Sequence, residues 1–233
     1  MTPNILVIIP VFNEEDSISK VLADIPHGLV SETVVLDNGS TDSTPDVARR
    51  CGATVISESR RGYGYACLKG IEYAGSKPQH DIPDIVVFLD GDYSDFPDEM
   101  PVLIKPIVED GCDMVIGSRT AGKREKGALL PQALFGNALA TFLIKMLYGV
   151  RFTDLGPFRA IKFARLLELG MEDKTFGWTV EMQVKAAKMG FKCAEVPVSY
   201  RKRIGTSKIT GTLGGTMKAG YKILWTIFKY SRY

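Results

Sequence analysis

The sequence is poor in the residues that build metal–sulfur sites, and it lacks long apolar runs. It contains two histidines and four cysteines, and Cys51, Cys67, Cys112 and Cys193 form no Cys-x-x-Cys pair. Structural zinc sites need such ligands at short spacing, so we do not expect one, and we interpret the cysteines as reduced thiols of a cytoplasmic protein. No apolar run reaches the roughly eighteen residues that a membrane-spanning helix needs, so we expect no such helix.

Basic residues are scarce in the first half of the chain, and acidic residues are scarce in the second. Residues 1–118 carry 8 Lys and Arg against 20 Asp and Glu, whereas residues 119–233 carry 21 against 7. An acidic half suits a metal ion and a neutral sugar, and a basic half suits phosphates or an anionic membrane surface. The basic half contains no recognisable nucleic-acid-binding module, so nucleic acid is not an expected partner.

Apolar runs alternate with helical patterns in the first half. Strands are predicted over 5–9, 33–36, 54–56, 85–89 and 114–116, with helices over 14–25, 44–50 and 64–74 between them. Further helices are predicted over 132–148, 175–189 and 213–230, and a strand over 193–200. Repeated strand–helix units with short connections predict a doubly wound α/β fold, with a mainly parallel sheet flanked by helices.

The tripeptide Asp90-Gly91-Asp92 follows directly after the apolar run 85–89. A continuous apolar run is typical of a strand buried on both faces of a parallel sheet, and ligands bind at the carboxyl edge of such sheets. Two carboxylates here, separated by a glycine that lets backbone and ligand approach closely, suit Mg²⁺ or Mn²⁺ bridged to a diphosphate. The simpler alternative for an isolated Asp-x-Asp is a polar turn after a strand.

Polar clusters also follow the first three predicted strands. Pro10, Asn13 and Glu14 follow the first strand, with Asn13 as a plausible helix N-cap, and Asp37 begins the cluster after the second. A turn with two glycines follows the third. Taken singly, each cluster has a structural explanation as a cap, a turn or a loop. In a parallel sheet, however, all of them reach the same edge as the paired aspartates, and this convergence indicates a ligand site.

As a set, these motifs resemble those of the inverting glycosyltransferases of family 2, which have the GT-A fold, a Rossmann-like α/β fold. The resemblance runs from Ile5 to about Lys208. Within the family, the chain is most similar to the dolichyl- and polyprenyl-phosphate hexosyltransferases, on segments 117–119, 154–159 and 201–208 and on the helix around Asn137.

The resemblance implies a nucleotide-sugar site at the sheet edge, for a donor of the GDP-mannose or UDP-glucose type. The residues that it places at the nucleotide sugar are Pro10, Asn13, Glu14, Asp37, Gly39, Gly62, Gly64, Asp90 and Gly91. Asp90 and Asp92 are the implied ligands of Mg²⁺ or Mn²⁺, and Asp92 is also expected to be catalytic.

The acceptor that the resemblance implies is a polyprenyl or dolichyl phosphate. Its attacking oxygen is already anionic, so no general base is needed, but cations must hold it against repulsion from the donor diphosphate. The residues expected to bind it are Arg119, Lys123, Arg124, Asn137, Arg201, Arg203 and Lys208. A hydroxyl acceptor is the alternative, and Glu181 is then the predicted catalytic base. A nucleotide-sugar-binding scaffold is the alternative outside the enzymes, and the intact aspartate pair argues against it.

The last segment has the pattern of a basic amphipathic helix. Leu213, Met217, Leu224 and Ile227 follow helical spacing, lysines lie on another face, and Trp225 is one of several aromatic residues. Such a helix can lie in a membrane interface or pack against the domain. We therefore predict a glycosyltransferase domain over 1–210, a helical extension over 211–233, and peripheral contact with the cytoplasmic face of a membrane.

Overall fold

The computed structural model describes residues 3–205 and 213–232, which fold around one seven-stranded sheet. The strands are β1 (Ile5–Val11), β2 (Glu32–Asp37), β3 (Thr54–Ser57), β4 (Ile85–Phe88), β5 (Met114–Ser118), β6 (Arg159–Lys162) and β7 (Cys193–Pro197). Their order across the sheet is β3-β2-β1-β4-β6-β5-β7. All neighbouring pairs are parallel except those of β6, which runs antiparallel to both β4 and β5. The predicted α/β class and mainly parallel sheet are confirmed.

β6 was not predicted from the sequence. It has only four residues, and charged residues stand at both of its ends, Arg159 and Lys162. The Arg159 side chain is fully buried, and it donates hydrogen bonds to the backbone carbonyls of Leu155, Gly156 and Thr179. Burial lowers the pKa of Arg159 to about 10, so its guanidinium stays charged at neutral pH. The three carbonyls therefore compensate the buried charge of Arg159. Arginine side chains are mostly exposed, so the sequence did not indicate a buried strand here.

The helices flank both faces of the sheet. They are α1 (Ile18–Ala23), α2 (Thr44–Arg50), α3 (Tyr63–Gly75), α4 (Met100–Glu109), α5 (Pro131–Tyr148), α6 (Phe163–Leu169), α7 (Trp178–Lys188) and α8 (Leu213–Lys229), with single 3₁₀ turns at Pro97–Glu99 and Tyr230–Arg232. α1 begins four residues later than predicted, and Ser17 rather than Asn13 is its N-cap. Asn13 has a φ of +54°, and it belongs to a turn that ties the loop after β1 to the loop after β2.

The core consists of two apolar layers, one on each face of the sheet. Along β1, Leu6 and Ile8 face one layer and Val7 and Ile9 face the other, as the two-residue period of a strand requires. Because both faces are covered, the strands are apolar throughout. Polar residues are thereby restricted to the strand ends, where the site lies.

α8 packs against α5 and α7, so it is joined to the rest of the described structure. Ile227 and Thr226 are buried on its inner side, and the Tyr148 hydroxyl of α5 donates a hydrogen bond to the Ile227 carbonyl. The predicted boundary between residues 210 and 211 lies outside the described residues. Across 3–205 and 213–232, no helix combines the length and the hydropathy that a membrane span requires.

Candidate active site

The loops after β1, β2 and β4 meet at the carboxyl edge of the sheet, beside the turn after β3. Val11 of β1 is in register with Asp37 of β2, and Ile8 is in register with Phe88 of β4. A cavity of about 390 Å³ opens at this edge. Its lining residues are Pro10, Val11, Phe12, Glu14, Asn38, Arg61, Gly62, Tyr63, Ala66, Asp90, Gly91, Asp92, Thr175, Phe176 and Arg203.

Asp90 and Asp92 are held in two different environments. The Tyr63 hydroxyl donates to Asp90 Oδ1 at 3.1 Å, and Asp92 Oδ1 accepts from the Ser94 amide at 2.9 Å and the Ser94 hydroxyl at 2.6 Å. Burial, followed by the nearby charge of Asp92, raises the pKa of Asp90 to about 7. Gly91 between them is required by packing, because a Cβ there would lie 2.6 Å from Val11 Cγ1.

Arg203 bridges two carboxylates inside the cavity. Its Nη1 lies 3.1 Å from Asp92 Oδ2, and its Nη2 lies 3.2 Å from Glu14 Oε1. From the sequence, Arg203 is predicted at the acceptor phosphate and Glu14 at the nucleotide sugar. In this structure the guanidinium supplies positive charge directly beside the predicted metal ligand Asp92.

Two cavity residues that sequence reasoning did not assign form a stacked pair. The Arg61 guanidinium lies 4.1 Å from the centroid of the Phe12 ring, and both side chains line the cavity. Gly39, with a φ of +77°, lies under this arginine, since a Cβ there would be 3.5 Å from Arg61 Nε. A flat cation stacked on an aromatic ring offers a surface suited to a nucleobase or a phosphate.

Asn38, rather than Asp37, lines the cavity. Its amide nitrogen donates to the carbonyls of Glu58 and Arg60, and its Oδ1 accepts from the Gly62 amide at 2.8 Å. Asp37 is buried, and its Oδ1 accepts from the Ser40 amide within the same turn. The role of Asp37 at the base remains a prediction, and its present contacts shape the loop.

Gly62 and Gly64 are required by a second loop that packs on them. A Cβ at Gly62 would collide with the Lys174 carbonyl oxygen, and a Cβ at Gly64 would collide with that of Asp173. Gly62 also lines the cavity. These glycines therefore let the segment before α7 approach the cavity. This approach joins distant parts of the chain, so no local pattern predicts it.

Glu181 is fully buried, outside the cavity lining. Its two oxygens accept from the backbone amides of Glu172 and Asp173 at 2.9 and 2.7 Å, and Oε1 also accepts from the Tyr230 hydroxyl at 2.8 Å. Lys185 Nζ lies 2.8 Å from the same oxygen. A general base must reach the proton that it removes, and these contacts instead indicate that Glu181 organises the 172–173 turn.

Apart from Arg203, the predicted acceptor residues divide into two groups by their position. Those of the first group lie in the loops around the cavity. Arg119 is paired with the fully buried Asp154, with Nη2 to Oδ1 at 2.7 Å, and it lies over the Tyr200 ring. Burial disfavours its charge, but the carboxylate outweighs burial and raises the pKa of Arg119. Arg201 braces the loop after Asp92, since it stacks on Tyr93 and donates to the Tyr93 and Asp95 carbonyls. Neither arginine lines the cavity, and both fix the loops around it.

The second group lies along a separate groove of about 480 Å³ beside α5. Arg124 and Asn137 line this groove, together with the unpredicted cations Lys145 and Arg151. The Asn137 side chain donates to the Thr153 carbonyl and accepts from the Leu155 amide, so it also holds the loop that carries Asp154. Lys123 is exposed nearby in sequence, and Lys208 lies outside the described residues.

A buried carboxyl group lies behind the aspartate pair and was not predicted. Asp95 is 1% exposed, and within the described structure neither of its side-chain oxygens has a hydrogen-bond partner. Burial, followed by the charge of Asp90, raises the pKa of Asp95 well above its ordinary value. Burial therefore disfavours a negative charge on Asp95 behind the aspartate pair.

The described fold is that of an α/β enzyme with its site at the carboxyl edge of parallel strands. Residues 6–169 match the sequence profile of glycosyl transferase family 2, and the chain belongs to that family. It is 35% identical over 217 residues to an uncharacterized glycosyltransferase of Mycobacterium tuberculosis, covering 92% of this chain and 94% of the relative. It is 33% identical over 214 residues to a dolichyl-phosphate hexose transferase of Haloferax volcanii, covering 91% and 89%.

Solved structures confirm the GT-A fold. Glucosyl-3-phosphoglycerate synthase from Mycobacterium tuberculosis, solved with Mn²⁺, UDP-glucose and phosphoglyceric acid, matches with a TM-score of 0.72 at 23% identity, over 99% of this chain and 80% of that chain. Mannosyl-3-phosphoglycerate synthase from Rubrobacter xylanophilus matches with a TM-score of 0.76 at 18% identity, over 99% and 74%. At these identities the likeness defines the fold, and the sequence family defines the chain as a glycosyltransferase.

Proposed function

We propose that this glycosyltransferase transfers a hexose, with inversion, from a nucleoside diphosphate sugar to a polyprenyl phosphate. The donor occupies the cavity at the sheet edge, between the Phe12–Arg61 pair and the Asp90–Asp92 pair. The donor is of the GDP-mannose or UDP-glucose type. The named relative from Haloferax volcanii, a dolichyl-phosphate hexose transferase, supports this acceptor class.

The donor set at Asp90 and Asp92 fits Mg²⁺ or Mn²⁺. Both would offer hard carboxylate oxygens, and a cation, the Arg203 guanidinium, already lies beside Asp92. Within the described ranges no three acidic, histidine or cysteine side chains cluster tightly enough to hold a metal alone, which fits a cation completed by substrate phosphates. Such a cation stabilises the charge that develops on the leaving diphosphate.

The observation that carries the acceptor proposal is the groove beside α5. Arg124, Lys145 and Arg151 line it, and its described lining includes no carboxylate. The neighbouring face of α5 exposes large apolar side chains, with Phe135 71% and Phe142 57% exposed. Three cations next to an uncovered apolar helix suit an amphiphile that carries a phosphate and a hydrocarbon chain.

The C-terminal helix α8 also supports contact with a membrane. α8 packs beside α5 and exposes Tyr221 and Trp225 near its lysines. Aromatic and basic side chains of this kind favour the interface of an anionic membrane, from which a polyprenyl acceptor would reach the groove. We propose peripheral attachment at the cytoplasmic face on these grounds.

The acceptor assay crosses three labelled donors with three acceptors. UDP-glucose, UDP-galactose and GDP-mannose are each incubated with Mn²⁺ and a short polyprenyl phosphate, the unphosphorylated polyprenol or 3-phosphoglycerate. We expect label in the organic phase with the polyprenyl phosphate alone. Label in polyprenol, or only in water-soluble phosphoglycerate product, would contradict the proposed acceptor.

A matched pair of variants tests the groove. Arg151→Gln removes one groove cation, and Arg50→Gln makes the same change at an exposed position on α2. Loss of a charged hydrogen bond of about 1.5 kcal/mol should raise the acceptor KM roughly tenfold in Arg151→Gln and leave the donor KM unchanged. Equal effects of the two variants would remove the groove from the proposal.

A further inference from the structure

Residues 172–177, the turn before α7, supply one wall of the donor cavity. The residues of this wall that line the cavity are Thr175 and Phe176. The Lys174 carbonyl accepts a hydrogen bond from the Tyr65 amide at 3.3 Å, and the same backbone packs on Gly62. The wall therefore touches both the cavity and the glycine turn after β3.

Asp173 organises this wall from behind. Its Oδ1 accepts from the Thr175 amide at 2.8 Å and from the Gly177 amide at 3.2 Å, so it fixes the backbone on either side of Phe176. Asp173 is itself only 8% exposed. An ionised carboxylate in such a place needs a compensating charge. The adjacent Lys174 lies over the Tyr65 ring, with Nζ 5.5 Å from its centroid.

α8 supplies the compensating charge. Lys222 Nζ lies 2.9 Å from Asp173 Oδ2, the oxygen that the wall amides do not use. One turn later, Thr226 packs so closely on Gly177 that a Cβ there would lie 2.7 Å from Thr226 Oγ1. The C-terminal helix therefore contacts the two residues that hold the wall in shape.

A second contact from the C-terminal end acts through Glu181. The Tyr230 hydroxyl donates to Glu181 Oε1, and Glu181 in turn accepts from the amides of Glu172 and Asp173. Lys229 Nζ lies 3.1 Å from Glu172 Oε2. The wall is thus held at its first residues by Tyr230 and at its centre by Lys222.

We propose that Lys222 and Tyr230 are positioning residues for the nucleotide-sugar site, acting through Asp173 and Glu181 on the Thr175–Phe176 wall. The inference rests on the proposed donor site and adds that α8 helps to shape this site although none of its described residues lines the cavity. A wall held in one conformation binds the donor without an ordering cost, so weakening either contact raises the dissociation constant of the donor.

The test has two parts. Calorimetry measures binding of a nucleoside diphosphate with Mn²⁺, without acceptor or lipid, and a transfer assay measures kcat and the two KM values. Lys222→Met should raise the dissociation constant and the donor KM roughly tenfold, with kcat at saturating donor and the acceptor KM within about twofold of wild type. Lys222→Arg should restore binding. Lys218→Met, an exposed lysine one turn earlier on α8, should bind like wild type.

A double-mutant cycle separates positioning from general stability. Asp173→Asn should weaken donor binding as Lys222→Met does, and the double variant should be no worse than either single variant. Tyr230→Phe should shift binding in the same direction by about threefold. Amide exchange at Thr175 and Gly177 should speed up in both the Lys222→Met and the Tyr230→Phe protein.

Three outcomes overturn the inference. They are unchanged donor binding in a Lys222→Met protein of lowered melting temperature, an equal effect of Lys218→Met, and a uniform fall of kcat with both KM values unchanged. If wild-type protein binds neither UDP nor GDP with Mn²⁺, the proposed function itself fails.

Discussion

Asp90→Asn should stabilise the protein in the absence of metal while removing its activity. The carboxyl group is held beside Asp92 at the edge of the apolar sheet, and burial followed by that charge raises its pKa from 3.8 to about 7. A folded state that raises an acid's pKa binds the proton more tightly than the unfolded chain does. The charged form at pH 8 therefore opposes folding. Asn removes the charge and keeps the shape, and its Oδ1 can still accept from the Tyr63 hydroxyl.

The size and pH dependence of this effect follow from linkage. A shift of three units at 1.36 kcal/mol each gives at most about 4 kcal/mol of destabilisation, fully developed above pH 7. As pH falls from 7 toward 4, wild-type Asp90 takes up its proton in the folded state, and the penalty disappears. Because 1 kcal/mol moves the melting temperature of a chain of this size by about 2–4 °C, Asp90→Asn should melt several degrees higher at pH 8 and close to wild type at pH 4.5.

The assay is thermal unfolding in EDTA at pH 4.5, 6 and 8, with Asp16→Asn as the control. Asp16 is exposed, and its substitution makes the same change of net charge. Turnover with Mn²⁺ is measured on the same samples, where Asp90→Asn should be inactive. A variant that melts below wild type at pH 8, or a gain that is independent of pH, would refute the reasoning about a buried, charge-opposed carboxylate.

Asp92→Asn should lower turnover about 10²–10³-fold, because it removes a negative charge that the predicted cation needs. Thermal melting should stay near that of wild type, since Asn keeps the shape of the side chain. Wild-type turnover in EDTA would contradict the metal assignment. Arg203→Ala should bind Mn²⁺ alone more tightly in calorimetry, because the guanidinium beside Asp92 no longer repels the cation. It should also lower kcat/KM about tenfold or more. Weaker Mn²⁺ binding would show that Arg203 does not compete with the cation. Glu181→Gln should retain most of the transfer activity at saturating donor, with a rate that does not change above pH 6. Its free energy of unfolding in urea should fall by about 1–3 kcal/mol, because the buried charged partner of the Tyr230 hydroxyl is gone. A thousandfold loss of rate with a new pH dependence would instead identify Glu181 as a general base.

The elements that the sequence predicted well are those in which periodicity and burial agree. The strand before Asp90 is apolar because both faces of the sheet are covered, and a parallel sheet places its end beside the ends of β1 and β2. The aspartate pair, Pro10, Glu14 and Gly62, all predicted at this edge of the sheet, therefore line one cavity.

Other features depend on contacts between distant segments, which no local pattern contains. α7 is buried on almost all sides, and its buried residues include Trp178 and the polar Glu181 and Gln183. The pattern of polar and apolar residues along α7 therefore does not indicate which side chains point toward the cavity. The choice of Asn38 over Asp37 at the cavity depends on a turn in which Asp37 Oδ1 accepts the Ser40 amide. The Arg203 bridge to Glu14 joins residues 189 positions apart, and a contact between such distant positions has no local sequence pattern.

The position of β6 has a consequence for how the chain is made. β6 lies between β4 and β5, which precede it by about seventy and forty residues, so neither strand has its inner neighbour until residues 159–162 have been synthesised. Until then the ribosome-bound chain presents one open edge of β4 and both edges of β5, since β7 is made later than β6, and such apolar edges pair readily with other chains. Fragments that end before residue 159 should therefore aggregate when expressed. Growth of the nascent chain past Lys162 should mark the point at which β5 joins the sheet and chaperone binding begins to fall.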